Sequence, residues 1–438
     1  MHSAPGTRHS ALGTRHSALG TRHPALGTGR CGPAGPQRMM RSVAGGPLAP
    51  RGWKAAATCA HIKGSTGDKL DLGLLASDFD CAAAGVFTQN QVVAAPVIWC
   101  RRLLPGTNIR AIVVDSGNAN ACTGEQGLRD AEAMASAAAQ LLGIDSSQVL
   151  VASTGVIGIP LPMDRVSAGI RQLRLGADAD AFNDAIMTTD TRRKQAALAF
   201  DVGGREVRVG GVTKGAAMIH PNMATMLCFV TSDAVVDPAV LPGAVKHAAA
   251  GSFNLLSVDG DQSTNDTCVV LCNGAAGNPI IRPGSPEARL LEEAIDEVAL
   301  SLARHMAADA EGATKVIEVR VSGAASDAEA HAAARKIVSS NLLKCAVHGN
   351  DPNWGRILMA LGNAPAQLQE DRVSVALNGL RLVAGGRTTG FDPAAASKAM
   401  DAPLVIIEVA LGLGSGAAMA LGCDMSEEYV TLNADYTT

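Results

Sequence analysis

The chain has 438 residues, 47% hydrophobic, 18% charged and only 3% aromatic, with 47 glycines and a formal net charge of −4. That is ample apolar material for one large core or two to three smaller ones, and it excludes a disordered chain, a collagen-like repeat and a small disulfide scaffold. The greasiest stretch, Leu404 to Leu421, is interrupted by Glu408 and several glycines, well short of the ~20 apolar residues a membrane helix needs.

Before Asp68 there is no acidic residue, whereas Arg8, Arg15, Arg22, Arg30, Arg38, Arg41, Arg51, Lys54 and Lys63 are all basic. A basic, acid-free leader rich in Arg, Ser, Ala and Gly has the composition of an organelle transit peptide, and residues 1–52 are expected to be such a disordered leader. Within it Gly6-Thr7-Arg8-His9-Ser10-Ala11-Leu12 recurs from Gly13 and again from Gly20. The period is seven, but a glycine in every repeat opposes a helix, so the segment reads as low complexity and not as a coiled coil. His9, His16 and His23 lack the acidic or Cys partners of a metal site, and none is expected. The remainder of the chain is acidic, which argues against sequence-independent binding to nucleic acid.

From Trp53 onward strand-like and helix-like runs alternate. Strands are expected at Ile109–Ser116, Gln148–Ala152, Thr225–Thr231, Thr267–Cys272, Lys315–Val321, Val373–Leu377 and Leu404–Val409. Helices are expected at Asp130–Leu142, Ala288–Ala308 and Asp327–Ser339; in the second, Leu291, Ile295, Val298 and Leu302 repeat at helical spacing. The layout is mixed α/β, with helices packed on central mixed sheets. Gly274–Pro286 and Gly362–Asp371 read as surface connections. The ten cysteines are scattered without a C-x-x-C, so neither a zinc site nor a disulfide framework is indicated, and a reducing compartment is expected. Cys268 and Cys272 share one face of a strand, as buried thiols.

Four polar loops at strand ends carry the candidate chemistry: Asp115–Gly124, Ser153–Gly158, Lys214–Leu227 and Asp259–Asp266. None contains a phosphate-binding glycine loop, a metalloprotease helix or a nucleophile elbow. Taken one at a time, each is as well read as a tight turn.

Together these loops resemble the ornithine acetyltransferase (glutamate N-acetyltransferase) family of arginine biosynthesis. Lys214-Gly-Ala-Ala-Met-Ile-His-Pro-Asn-Met-Ala-Thr-Met-Leu227 resembles the family's self-cleavage signature. Support is spread over Val86–Asn90, Thr154-Gly155, Met187–Thr191, Glu311–Lys315, Asp351–Arg356 and Asn433–Thr438. One departure is Ala310, where the family usually has Gly before the Glu.

The resemblance implies an Ntn-hydrolase-like self-processing fold that cuts itself between Ala224 and Thr225, leaving an α chain (53–224) and a β chain (225–438). Thr225 would then be nucleophile and, through its freed amine, its own base, with the Thr154 hydroxyl and Gly155 N–H as oxyanion hole. It implies substrate contacts from Thr188 or Thr189, Lys214, Thr225, Glu311, Asn433 and Thr438. The implied reaction moves acetyl from N2-acetylornithine to glutamate without cofactor or metal. Acetyl-CoA as a second acetyl donor is left open. The family resemblance further implies an α2β2 assembly, and the leader an organelle, with plastid favoured over mitochondrial matrix. Two other readings stand beside it: a self-processing aminopeptidase that hydrolyses the acyl-enzyme, and a non-catalytic metabolite-binding protein.

Overall fold

The computed structural model describes residues 40–64, 67–220 and 226–435. The repeat-bearing part of the leader, the Ala224–Thr225 junction and Thr438 lie outside the described residues.

The strands, in chain order, are β1 (Arg41–Ser42), β2 (Trp53–Thr58), β3 (Leu72–Phe87), β4 (Gly106–Asn118), β5 (Val149–Val156), β6 (Lys194–Val202), β7 (Arg205–Lys214) and β8 (Leu227–Ser232). They continue with β9 (Leu256–Ser257), β10 (Thr267–Cys272), β11 (Val316–Ala324), β12 (Ser374–Leu377), β13 (Leu380–Ala384), β14 (Arg387–Thr388), β15 (Leu404–Ala410) and β16 (Gly416–Cys423). One mixed sheet has the order β1-β6-β7-β8-β10-β3-β4-β5 with β2 also on β3; a second runs β14-β13-β12-β15-β11-β16-β9.

One face of the larger sheet carries a single core across the β10–β3 pairing. Leu75, Ile109, Ile112 and Leu150 from its β3–β5 side share one core with Val212, Phe229, Val269 and Leu271 from its β7–β10 side. The pairing of β3 with β4 shifts register around Cys81, an irregularity of the kind that bends a strand. With so few rings available the core is mostly aliphatic, and Phe182 against Phe229 is its aromatic contact, at 6.2 Å between centroids.

Helix Pro286–Ala308 joins the two sheets. Ser285 caps it by accepting the Ala288 N–H, Pro286 starts it without a missing donor, and Leu291, Ile295, Val298 and Leu302 face inward. These residues belong to a core that holds Val207 and Val209 of β7 together with Leu421 and Cys423 of β16. Gly211 permits the close approach: a Cβ there would lie 2.7 Å from Val298 Cγ1. The second sheet packs on helix Asp327–Val338 through Ile317, Val319, Ala330, Ala334 and Ile337. Cys268 and Cys272 are buried and free, as their shared strand face implies. No helix among the described residues is long and apolar enough to cross a membrane.

The expected border at Trp53 is corrected: residues 40–52 are not a disordered leader but part of the fold. β1 pairs with Leu198 and Ala199 of β6. The Thr231 hydroxyl donates to Pro47 O at 2.7 Å, and Arg51 meets Asp233 at 2.9 Å. The absence of acids in this segment misleads, because its counter-charges, Asp233 and Glu206, are supplied from 150 or more residues away.

Gly210 tests this docking. A Cβ on it would overlap the Gly46 carbonyl oxygen, a backbone atom with no room to yield. Gly210→Ala should therefore destabilise the fold by about 1–3 kcal/mol. Limited proteolysis should then cut within residues 40–52, whereas the unaltered protein resists there.

Candidate active site

Lys214 ends β7 with its side chain turned inward and the residue only 4% exposed. Its Nζ donates to the Thr154 hydroxyl oxygen at 3.1 Å. The lysine thus occupies a lone pair of that oxygen and leaves the Thr154 hydrogen free to be donated elsewhere. Burial pulls the Lys214 pKa below its ordinary value; Asp190 opposes this, as does Glu311, while Lys194 and Lys69 reinforce it. Asp190 shows the converse balance. Burial alone would raise it, yet the charges of Lys214 and Lys194 bring it down to about 2.

Thr154 and Gly155 lie where β5 leaves the sheet beside β4, in register with Ser116 and Gly117. Gly155 has φ +132°, a conformation a side chain rarely adopts, and an added Cβ would sit 2.6 Å from Asn118 N. Close backbone approach is what this position needs. The Asp259–Asp266 loop is tied to the same exits: Asn265 Nδ2 donates to Ala119 O at 2.6 Å and to Ser153 O at 2.8 Å.

Thr154, Gly155, Thr188, Thr189, Lys214, Glu311 and Asn433 all line one cavity of about 140 Å³. Seven of the sequence-expected site residues thus meet in one enclosure, and both threonines of the pair face it. Glu311 Oε2 accepts from Asn433 Nδ2 at 2.8 Å, so helix Glu427–Asp435 returns the end of the chain to the site. Ala310, the departure from the family pattern, is buried in the hydrophobic core beside Glu311. Ala224, Thr225 and Thr438 lie outside the described residues.

Sequence reasoning missed Asp259, Asp261 and Tyr429 as lining residues, although the loop carrying the first two stood out as polar. The Tyr429 hydroxyl is pushed up by burial and by Asp259, Asp261 and Glu311. Asp259 accepts from the backbone N–H of Met218 and, at 2.9 Å, of Ile219. It thereby holds Met218 at φ +55°, an uncommon left-handed conformation for a non-glycine residue. His220 follows, with Nε2 3.1 Å from an Arg335 nitrogen and Nδ1 2.9 Å from Ser257 Oγ. Arginine only donates, so Nε2 accepts and Nδ1 carries the hydrogen. Burial and the nearby Arg335 lower the His220 pKa and favour this neutral form. The Asp115–Gly124 loop, by contrast, is mostly scaffold: the Asn118 amide donates to Ile159 O and the Asn120 amide to Gly127 O.

On the far side of the undescribed residues 221–225, Met226 N–H donates to Asp266 Oδ1 at 3.1 Å. Burial pushes the Asp266 pKa well up. The other Asp266 oxygen has no hydrogen-bond partner among the described residues. The chain is therefore anchored just before the expected cut, at Met218–His220, and just after it, at Met226.

An ammonium-backed hydroxyl, a backbone turn admitting only glycine, and three acids, Asp259, Asp261 and Glu311, on one small cavity define an α/β protein with a site for a small charged molecule. A profile of the ArgJ family matches residues 54–438, and the chain belongs to that family. It is 51% identical over 405 residues to the arginine biosynthesis bifunctional protein ArgJ of Symbiobacterium thermophilum, covering 91% of this chain and 100% of that one. The protein of the same name from Geobacillus kaustophilus is 45% identical over 395 residues, covering 89% and 96% of the two chains. Among solved structures, the ornithine acetyltransferase of Mycobacterium tuberculosis complexed with ornithine is 36% identical, covering 43% of this chain and 100% of that chain, with a TM-score of 0.38.

Gly155→Ala provides the test of the turn. If the Gly155 N–H is the oxyanion donor that the family resemblance implies, displacing it should lower turnover by about 10²–10³-fold, the usual cost of one such donor. Steady-state kinetics should show this in kcat, with the urea midpoint read alongside.

Proposed function

We propose that this chain cuts itself between Ala224 and Thr225 and then carries acetyl from N2-acetylornithine to glutamate as an ester on Thr225. Membership of the ArgJ family makes it an acetyltransferase of arginine biosynthesis. The observation that carries the detailed reading is the convergence of Thr154, Gly155, Lys214, Glu311 and Asn433 on one cavity. The flanks of the expected cut are held by Asp259 and Asp266, both from the loop that borders this cavity.

Self-cleavage begins with attack of the Thr225 hydroxyl on the Ala224 carbonyl carbon. The C–N bond breaks, the nitrogen gains a proton, and water opens the resulting ester. Thr225 is left with a free α-amine, whose ordinary pKa of about 7.7–8.0 suits a base working near neutrality. In the first half of transfer that amine takes the hydroxyl proton as Oγ attacks the acetyl carbonyl of N2-acetylornithine. The tetrahedral oxyanion is met by the Thr154 hydrogen, which Lys214 leaves free, and by the Gly155 N–H. Collapse returns the proton to the departing α-amine of ornithine. Glutamate's amine then attacks the acetyl ester and regenerates Thr225.

Lys214 is the natural partner of a substrate carboxylate, and Glu311 with its acidic neighbours that of an ammonium. One residue supplies nucleophile and base, so the scheme needs no cofactor or metal; acetyl-CoA would acylate the same hydroxyl. An α2β2 assembly, a plastid address with the mitochondrial matrix as alternative, and a role for Thr438 belong to the same reading.

Thr225→Ala should stay one chain on a denaturing gel, whereas the unaltered protein should yield a fragment starting Thr225-Met226-Leu227 by N-terminal sequencing. With N2-acetylornithine and glutamate the cleaved protein should form N-acetylglutamate, with free acetate a minor product. Cleavage followed only by acetate release would instead identify the aminopeptidase-like hydrolase. Parallel assays with acetyl-CoA determine whether it serves as a second donor.

A further inference from the structure

The α-amine that serves as base during transfer does not exist until the chain is cut, so the first attack by the Thr225 hydroxyl needs a different proton acceptor. Asp266 has the properties of that acceptor. The residue is 1% exposed. Its Oδ1 accepts the Met226 N–H at 3.1 Å, which holds the carboxylate one peptide unit from residue 225. Its Oδ2 is buried and has no hydrogen-bond partner among the described residues.

A carboxylate oxygen left unpartnered in the interior is unfavourable, and the fold does not let this one turn away. Thr267 N–H donates to Met226 O at 3.0 Å and Thr88 N–H to Asp266 O at 2.9 Å, so the chain entering β10 is held to both the β8 side and the β3 side. The Thr88 hydroxyl spends its hydrogen on Ser263 O at 2.6 Å and is not a donor to Asp266. The other groups that anchor the flanks of the cut are occupied. Asp259 accepts the N–H of Met218 on one oxygen and of Ile219 on the other. Both His220 nitrogens are engaged, by Arg335 and by Ser257. Lys214, as an ammonium, can only donate.

We propose that Asp266 is the proton acceptor of self-cleavage: its unpartnered oxygen takes the Thr225 hydroxyl proton as Oγ attacks the Ala224 carbonyl carbon. The inference rests on cleavage between Ala224 and Thr225. When the tetrahedral intermediate collapses, the Ala224 C–Thr225 N bond breaks and the proton held on Asp266 passes to the departing nitrogen. An ester then joins Ala224 to Thr225 Oγ, and Asp266 is again a carboxylate. Water adds to the ester carbon, Oγ leaves with a proton from that water, and Ala224 keeps the new carboxyl group. Burial pushes the Asp266 pKa up, with the Met226 N–H and the Lys214 charge opposing, so the carboxylate is a stronger base than an exposed one. Once the cut is made, the freed amine takes over.

The experiment follows the two fragments with time on denaturing gels, in full-length chain made by cell-free synthesis so that uncut precursor is the starting material. Asp266→Asn keeps the side-chain size and an oxygen for the Met226 N–H but cannot take up a proton. Its cleavage should slow by at least about 10²-fold, the usual contribution of a general base. Asp266→Glu restores a carboxylate with an extra methylene in a buried site, and should cut faster than Asp266→Asn. A purely structural role predicts the opposite order, because Asn is the better steric match. The urea midpoint of each chain reports folding. Where Asp266→Asn does not fold, Asp266→Ser replaces it in the comparison, since serine also accepts from an N–H without serving as a base.

Cleavage of Asp266→Asn at the unaltered rate, or faster than that of Asp266→Glu, would overturn the inference. Hydroxylamine, which opens esters, should not restore cutting in Asp266→Asn; restoration would place Asp266 at ester hydrolysis and overturn its part in the first attack. Failure of the unaltered chain to cut would instead overturn the reading on which the inference rests.

Discussion

The structure turns on one buried ammonium. Lys214 has almost no solvent around it, so its charge must be met by groups the fold brings to it. Those groups come from three parts of the chain: Thr154 from the exit of β5, Asp190 from just before β6, and Glu311 from the stretch after helix Pro286–Ala308. Satisfying the lysine therefore assembles the cavity. The same contact orients the Thr154 hydroxyl, because an oxygen that accepts from an ammonium must turn its own hydrogen away. Charge recognition and oxyanion stabilisation, which could have been separate devices, are here the two ends of one hydrogen bond.

The stretch after Lys214 carries the second constraint. Gly215 has φ +145° and Met218 φ +55°, so the chain leaves β7 through backbone conformations that are costly for ordinary residues, of order 1–3 kcal/mol where a side chain must adopt them. Asp259 stabilises the bend by taking two adjacent N–H groups, and Val258 N–H donates to Ile219 O at 2.6 Å. His220 is held between Arg335 and Ser257, at the ends of two different elements of the second sheet layer. Beyond the expected cut, Met226 is fixed by Asp266 and by Thr267, whose N–H donates to Met226 O at 3.0 Å.

Much of this was legible in the amino-acid sequence, for reasons that can be named. Thr267–Cys272 is a run of β-branched and apolar residues buried on both faces, and its observed limits coincide with the expected ones. Helix Pro286–Ala308 carries both an apolar stripe and a capping serine, so period and boundary agree. β3 was not legible: its sixteen residues mix Asp78 and Asp80 with alanines and glycines, and the bend that exposes the acids erases any period. The hairpin of β6 and β7 was also missed, although Val207 and Val209 alternate with Glu206 and Arg208 in β7. At the site, Thr154-Gly155 reads as a turn until Lys214 is placed beside it; the family resemblance named both residues, but their contact comes only from the fold. The Asp190–Lys194–Asp309 cluster could not be read at all. Its closing contact joins residues 115 positions apart, and a lone Asp or Lys gives no sign of being buried. Residues 40–52 were misjudged on the same principle: composition reports a segment's own charges and is silent about the partners that neutralise them.

On the proposed route, the choice between passing the acetyl group to an amine and losing it to water turns on how the acceptor is held. An acyl ester on Thr225 is open to any nucleophile that reaches it, and water is the more abundant. An amine fixed in attacking position, however, can act with an effective molarity of up to ~10⁵–10⁸ M, far above that of bulk water. Such fixing requires contacts at both ends of the acceptor. On the proposed route Lys214 takes a carboxylate, while Thr188, Thr189 and Asn433 border the same space of about 140 Å³. Helix Glu427–Asp435 brings Asn433 onto Glu311 at the edge of this space. On the proposed route, contacts at both ends of the acceptor favour transfer. Each depends on groups far from Thr225 in the chain, which is why the nucleophile alone does not decide the outcome.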